Sequence, residues 1–230
     1  MKKYKEILLF SGGLDSFIAW HYLGHPPVLF LDAKQSYVKK EFGTVKYFAK
    51  KLKMNLIIDN TLDLLKWEKE NYYIPYRNVF FAMIASLYAE KVYLVGIKGD
   101  SVDDNNSEIT KVMSSFLENF NSGQKIEITS PFYNMTKSEI VKWYLDQKLP
   151  IDDLKRSRSC YDKNSKTQCG ECGSCFRRWI AFENNGIKEK YDKNPWDWKE
   201  LENYRIRMEK GLYDKSRSKE TIQVLKKYGK

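Results

Sequence analysis

Short apolar runs alternate with longer amphipathic stretches over the first 150 residues, and this alternation predicts the elements. Ile7-Leu8-Leu9-Phe10 reads as a buried strand, followed by a glycine turn and a helix over about 15–23 that stops at Gly24. Pro26-Pro27 precede a second strand, Val28-Leu29-Phe30-Leu31, closed by Asp32. Across 36–53, Val38, Phe42, Val45, Phe48, Ala49 and Leu52 recur on one helical face. Residues 55–59 form a third strand, the apolar stretch 78–91 a buried helix, and 92–95 a fourth strand ending at Gly96. A helix is expected at about 108–120 and a fifth strand at 125–129. Thr136 and Glu139 spell a capping box for a last helix over 136–147.

Strands separated by helices imply an α/β fold with a doubly wound parallel five-stranded sheet and right-handed crossovers. Ligands bind such sheets beyond the carboxyl ends of the strands. Residues 11–16, Asp32, 96–104 and 130–137 all follow strands and are expected on one face. The expected division is an α/β domain over 1–150 that carries the ligand face, a cysteine-bearing segment over 151–192, and a basic, largely helical extension over 193–230.

Composition narrows the class. With 230 residues, 42% hydrophobic and 15% aromatic, the chain can bury a substantial core. No apolar run approaches the roughly 18 residues of a membrane span. Met1-Lys2-Lys3 resembles the start of a signal peptide, but the apolar stretch after it is too short and runs into the glycine turn. A cytoplasmic protein is expected. The net charge is +10, and over 186–230 there are 13 Lys and Arg against 8 Asp and Glu. Basic excess suits anionic ligands. Nucleic acid is a second, less favoured partner, because acids interleave the basic residues as they do on a solvated surface.

The glycine turn carries chemistry. Ser11-Gly12-Gly13-Leu14-Asp15-Ser16 joins a strand to a helix, where glycines permit close backbone approach and unpaired helix amides favour an anion. The loop lacks the lysine and spacer of G-x-x-x-x-G-K-[ST] and is not G-x-G-x-x-G. The hexapeptide resembles the pyrophosphate loop of the ATP-pyrophosphatase (PP-loop) superfamily. A plain strand-to-helix turn capped by Asp15 or Ser16 is the alternative.

The four cysteines lie within sixteen residues as Cys160-x8-Cys169-x2-Cys172-x2-Cys175. They can supply four thiolates to a closed tetrahedral zinc site, structural because no coordination position stays open. A disulfide framework, disfavoured in the cytoplasm, and an iron–sulfur cluster are the alternatives. Thiols committed to zinc cannot also carry sulfur or serve a glutaminase, which leaves free ammonia as the nitrogen donor for any amidation.

Further segments complete a resemblance to the 7-cyano-7-deazaguanine synthase family over about residues 6–192. They are Pro75-Tyr76-Arg77-Asn78, Ser130-Pro131-Phe132, Thr136-Lys137-Ser138-Glu139-Ile140, Ser159-Cys160-Tyr161 and the run from Cys169 to Arg178. The resemblance implies an adenine nucleotide alpha-hydrolase-like fold. It also implies ATP-dependent conversion of 7-carboxy-7-deazaguanine and ammonia to the nitrile, through adenylated acid and amide. Ser11, Gly12, Gly13, Asp15 and Ser16 would hold phosphates, flanked by Phe10 and Leu14. Lys137 and Arg77 would add positive charge, unless they are solvated surface residues, and Mg²⁺ would shield phosphate oxygens. Asp32 and Gly96 are expected beside the nucleotide, Asp32 having a helix cap as its alternative role. Arg77 and Asn78 are expected near the substrate.

One segment departs from the family. The proline, cysteine and arginine usual after the fourth strand are missing from 96–108, while Asp100 and Asp104 remain to bind a guanine-like N1–H and amino group. The alternatives are another PP-loop ligase or tRNA-modifying enzyme, or a non-catalytic deazapurine-binding relative. Beyond Asp192, Trp196, Trp198, Leu201 and Tyr204 are expected to dock on the body or on a second subunit of a homodimer.

Overall fold

A computed structural model of the chain describes residues 3–100 and 105–229. The apolar runs become strands because only a central sheet position can bury both of their faces. Strand β1 (Tyr4–Leu9) leads through the glycine turn into helix α1 (Leu14–Tyr22), and β2 (Val28–Leu31) is buried throughout. Then come α2 (Val38–Leu52), β3 (Leu56–Asp59), α3 (Arg77–Ser86), β4 (Ala89–Tyr93), α4 (Ser107–Phe120) and β5 (Glu127–Thr129).

The five strands form one parallel sheet in the order β3-β2-β1-β4-β5, as the alternation predicts. Successive side chains of β1 divide its two faces. Ile7 and Leu9 join Leu29, Leu31, Val92 and Ile128 in a core under α3 and α4. On the other face Phe10 meets Phe48 of α2, which stacks on Phe17 of α1 at 4.3 Å. The chain winds outward from β1 to β3, then returns to β4 on the far side of β1. That reversal opens a crevice beyond the carboxyl ends of β1 and β4.

The first strand begins at Tyr4 and not at Ile7, and the largest difference from expectation lies between α3 and β4. The helix placed at 78–91 ends at Ser86, and the fourth strand runs Ala89–Tyr93, not 92–95. No glycine or proline separates the two elements, so the apolar run hides the change of period. Parallel pairing of Tyr4 with Ala89 and Ile7 with Val92 draws the earlier residues into the sheet.

The described residues divide into two compact units, Met1–Gly96 with Val102–Tyr133 and Ile97–Ser101 with Asn134–Lys230. The second unit contains α5 (Lys137–Asp146), α6 (Ile151–Arg156), α7 (Gly173–Asn184), α8 (Leu201–Glu209) and α9 (Lys215–Lys227). The expected capping box is formed: Thr136 Oγ1 accepts from the Glu139 amide, and Glu139 accepts from the Thr136 amide. Phe176, Trp179 and Ile180 of α7 pack with Leu201 and Tyr204 of α8 and Val224 and Leu225 of α9. Trp196 and Trp198 border this cluster, so the tail aromatics dock within their own unit. Among the described residues no helix is long and apolar enough to cross a membrane.

Candidate active site and metal centre

The glycine turn sits at the carboxyl end of β1, on the crevice. Gly12 has φ +70°, and a Cβ there would lie 3.0 Å from the Thr44 methyl, so both conformation and space call for glycine. Gly13 takes the N-cap position of α1, and no side chain caps this helix start. Ser11 Oγ accepts from the Gly13 amide at 3.2 Å and lies 3.3 Å from Ser16 Oγ, which donates to the Gly13 carbonyl. Both hydroxyls are thereby held at the mouth of the helix. Leu14 and Phe10 are buried beneath, and Asp15 is half-buried in the first turn. This concave, donor-rich turn can hold an anion, with hard oxygen donors at Ser11, Asp15 and Ser16 of the type Mg²⁺ prefers.

Other residues of the first unit border the sheet's carboxyl edge. Asp32 follows β2, and its carboxylate accepts from the Lys34 amide at 3.0 Å and pairs with Lys34 Nζ at 3.4 Å, so it does brace the local turn. Gly96 follows β4, where an added Cβ would fall 2.8 Å from Asn105 Oδ1 and 2.9 Å from the Tyr133 ring. Ser130 Oγ fixes this point by donating to the Gly96 carbonyl and accepting from its amide. Arg77 opens α3 and donates to the Tyr37 hydroxyl at 2.7 Å, and Asn78 next to it is buried.

Within the second unit, Asp100 is nearly enclosed. Its Oδ1 accepts from Arg177 at 2.5 Å and its Oδ2 from the Ile97 amide at 3.2 Å. Burial opposes its charge, but Arg177, with Lys137 near by, outweighs this and holds the carboxyl below its ordinary range. Lys137 is the first residue of α5. Asp104 lies outside the described residues. Arg177 is the participant the sequence reading quoted without giving it a role; the signal was its place directly after the cysteine run.

That run forms the metal centre. The four Sγ atoms lie within 4.8 Å of one another, and Cys169 and Cys175 are 3.8 Å apart. A tetrahedron with Zn–S bonds of about 2.3 Å has sulfur–sulfur edges of about 3.8 Å, so the donor set fits zinc. The amides of Cys169, Glu171 and Cys175 point at the sulfurs of Cys160, Cys169 and Cys172 at 3.3–3.4 Å, an arrangement that stabilises thiolates. Fully buried Arg178 ties the flanks together. It grips Glu189 with two 2.8 Å bonds and donates to Ser157 and to the Leu154 carbonyl.

A parallel switch-point sheet with a phosphate-type glycine turn, joined in one chain to a four-cysteine centre, defines a PP-loop α/β protein with a cysteine module whose donor set fits zinc. The family model "Queuosine biosynthesis protein QueC" matches residues 33–186. A 7-cyano-7-deazaguanine synthase of Methanocaldococcus jannaschii is 31% identical over 81% of this chain and 97% of its own length. Synthases of the same name from Methanococcus aeolicus and Campylobacter jejuni are 32% and 28% identical, over 65% and 81% of this chain and 70% and 96% of theirs. The chain belongs to the QueC family.

Proposed function

We propose that this protein is an ATP-dependent carbon–nitrogen ligase that converts 7-carboxy-7-deazaguanine and ammonia to 7-cyano-7-deazaguanine. The observation that carries the reading is the Ser11–Ser16 turn at the β1/β4 crevice of a QueC-family chain. The substrate carboxylate attacks the α-phosphorus of ATP, the bond to the bridging oxygen breaks, and pyrophosphate leaves. Ammonia adds to the acyl carbon, and AMP departs as nitrogen loses a proton, giving the amide. The amide oxygen then attacks the α-phosphorus of a second ATP, and pyrophosphate leaves again. AMP leaves with that oxygen, the two remaining N–H protons are lost, and the nitrile results.

The residues have separate tasks. Backbone amides of 11–16 and the hydroxyls of Ser11 and Ser16 hold the departing pyrophosphate, aided by the positive end of α1. Lys137 and Arg77 offset its charge, and Asp32, Gly96, Phe10 and Leu14 border the nucleotide. Mg²⁺, when bound, shields phosphate oxygens from the attacking carboxylate. Asn78 and a carboxylate of the 96–108 segment orient the deazaguanine. Asp100 already accepts from Arg177 and from the Ile97 amide, which favours Asp104 for reading the N1–H and amino edge. Zinc, held by Cys160, Cys169, Cys172 and Cys175, has no open position for chemistry and orders the module. Ammonia enters from solution, because every thiol is a metal ligand.

Exchange of labelled pyrophosphate into ATP, dependent on the deazaguanine acid, tests the adenylation. Asp15→Ala and Ser16→Ala are expected to abolish exchange while leaving the fold intact. Release of ADP and phosphate by the wild type would overturn the reading.

A further inference from the structure

The last helix, α9, lies beyond the segment matched by the family model, and the proposed reaction gives it no task. Its contacts within the second unit are specific. Asp214 caps it by accepting from the Ser216 and Arg217 amides, which fixes the rotation of its first turn. Ser216 Oγ accepts from Lys98 Nζ at 3.0 Å. Arg217, only 8% exposed, donates to the Gly99 carbonyl at 2.6 Å and to the Tyr204 hydroxyl at 2.7 Å. Its guanidinium lies 4.0 Å from the centre of the Tyr213 ring. Gly99 has φ +79°, and a Cβ there would meet Arg217 and Asp214 at 3.2 Å each, so the 97–100 loop is moulded to this helix.

One turn further on, Glu220 reaches the other side of the same pocket. Its two oxygens accept from the hydroxyls of Thr136 and Ser138, the residues on either side of Lys137. Asn184 of α7 donates to Ser138 Oγ and to the Glu220 carbonyl, closing the set. Lys98, Lys137, Arg177, Arg217 and Glu220 line one pocket. Two charged side chains one helical turn apart, buried Arg217 and half-buried Glu220, thus hold two different segments, one carrying Asp100 and the other Lys137.

We propose that α9 is a positioning element of the active site, in which Arg217 sets the 97–100 loop and Glu220 sets the start of α5 that presents Lys137. A helix serving only as a cover would need apolar contacts, and Val224 and Leu225 already supply those. Buried Arg217 and half-buried Glu220 carry desolvation costs that a cover does not require. This inference rests on the proposed function for the task of Lys137, but its structural half stands without it.

The test uses the full zinc-loaded chain with Arg217→Gln, Glu220→Gln and Glu220→Asp, with zinc content and melting temperature as folding controls. Misplacement of a reacting group by about 1 Å costs on the order of a hundredfold. Glu220→Gln should therefore lower kcat for acid-dependent pyrophosphate exchange by about ten- to a hundredfold, with the KM for ATP nearly unchanged. Arg217→Gln should act chiefly by raising the KM for the deazaguanine acid. Glu220→Asp, which keeps the charge and shortens the reach, should fall between wild type and Glu220→Gln. Folded, zinc-loaded variants with wild-type kcat and KM would overturn the proposal; if the Gln variants do not fold, Glu220→Asp decides alone. If the wild type itself shows no exchange, the proposed function fails instead. Amide hydrogen exchange then still decides the structural half: peptides covering 97–100 and 136–140 must exchange faster in the respective variants, and unchanged exchange overturns it.

Discussion

Arg177 and Asp100 are joined at 2.5 Å, seventy-seven residues apart in sequence, with 22% and 14% of their side chains exposed. Removing the cation strands a buried carboxylate. Arg177→Met is expected to cost about 2–4 kcal/mol in denaturant unfolding, somewhat below the figure for a wholly buried pair. The folded pKa of Asp100 is lowered, so its contribution is present at neutral pH and lost as pH falls through the acid range below the ordinary carboxylate value. In Arg177→Met, burial without its partner should raise that pKa, so this contribution should instead fall as pH rises. Unfolding curves across acidic to neutral pH check both signs.

Gly170 and Lys193 hold the metal module closed. With φ +80°, a Cβ on Gly170 would sit 1.8 Å from the Lys193 carbonyl oxygen. Ala at this site should cost more than the ~1–2 kcal/mol of a left-handed residue alone, because the 192–193 segment must move and Asp192 must release Ser165 and Thr167. The expected result is reduced zinc retention during dialysis against a chelator, with less effect on nucleotide binding.

Metal content gives a separate check. One zinc per chain is expected, and Cys169→Ser or Cys172→Ser should lose it together with the order of residues 155–178. Metal analysis of freshly purified protein and limited proteolysis of that segment measure the two consequences.

At the phosphate loop, Gly12→Ala pairs a left-handed strain of about 1–2 kcal/mol with a 3.0 Å approach to Thr44. The loop should shift away from α2, lowering ATP affinity by about tenfold or more while the melting temperature changes little. Calorimetric titration with a non-hydrolysable ATP analogue reads the affinity directly.

Much of this was legible in the sequence where signals were local. The glycine turn after Phe10, the capping box at Thr136 and the cysteine spacing each depend on residues a few positions apart, and each is formed as read. The α3/β4 boundary was not legible, because Leu87 and Tyr88 continue an apolar run and only pairing with β1 ends the helix. The Arg217–Gly99 and Glu220–Thr136 contacts span 118 and 84 residues. In sequence, Arg217 and Glu220 look like solvated charges among other charges; only the docking of α9 buries Arg217 and half-buries Glu220. The Arg177–Asp100 pair, seventy-seven residues apart, was hidden in the same way.

For the substrate edge, Asp104→Asn and Asp100→Asn should separate. Loss of one charge-assisted hydrogen-bond pair costs about 1.5–3 kcal/mol, roughly ten- to a hundredfold in affinity. Asp104→Asn should show that loss as weaker deazaguanine-acid binding with ATP binding kept, and Asp100→Asn should register mainly in stability. Full affinity in both variants would place the purine edge on other residues.

The central claim is met most directly by mass spectrometry of a reaction containing the zinc-loaded protein, 7-carboxy-7-deazaguanine, ATP, Mg²⁺ and ammonium. The account predicts that the amide appears first and the nitrile accumulates, with one AMP and one pyrophosphate released at each of the two steps. Unchanged acid with ATP intact, or ATP split to ADP and phosphate, would contradict it.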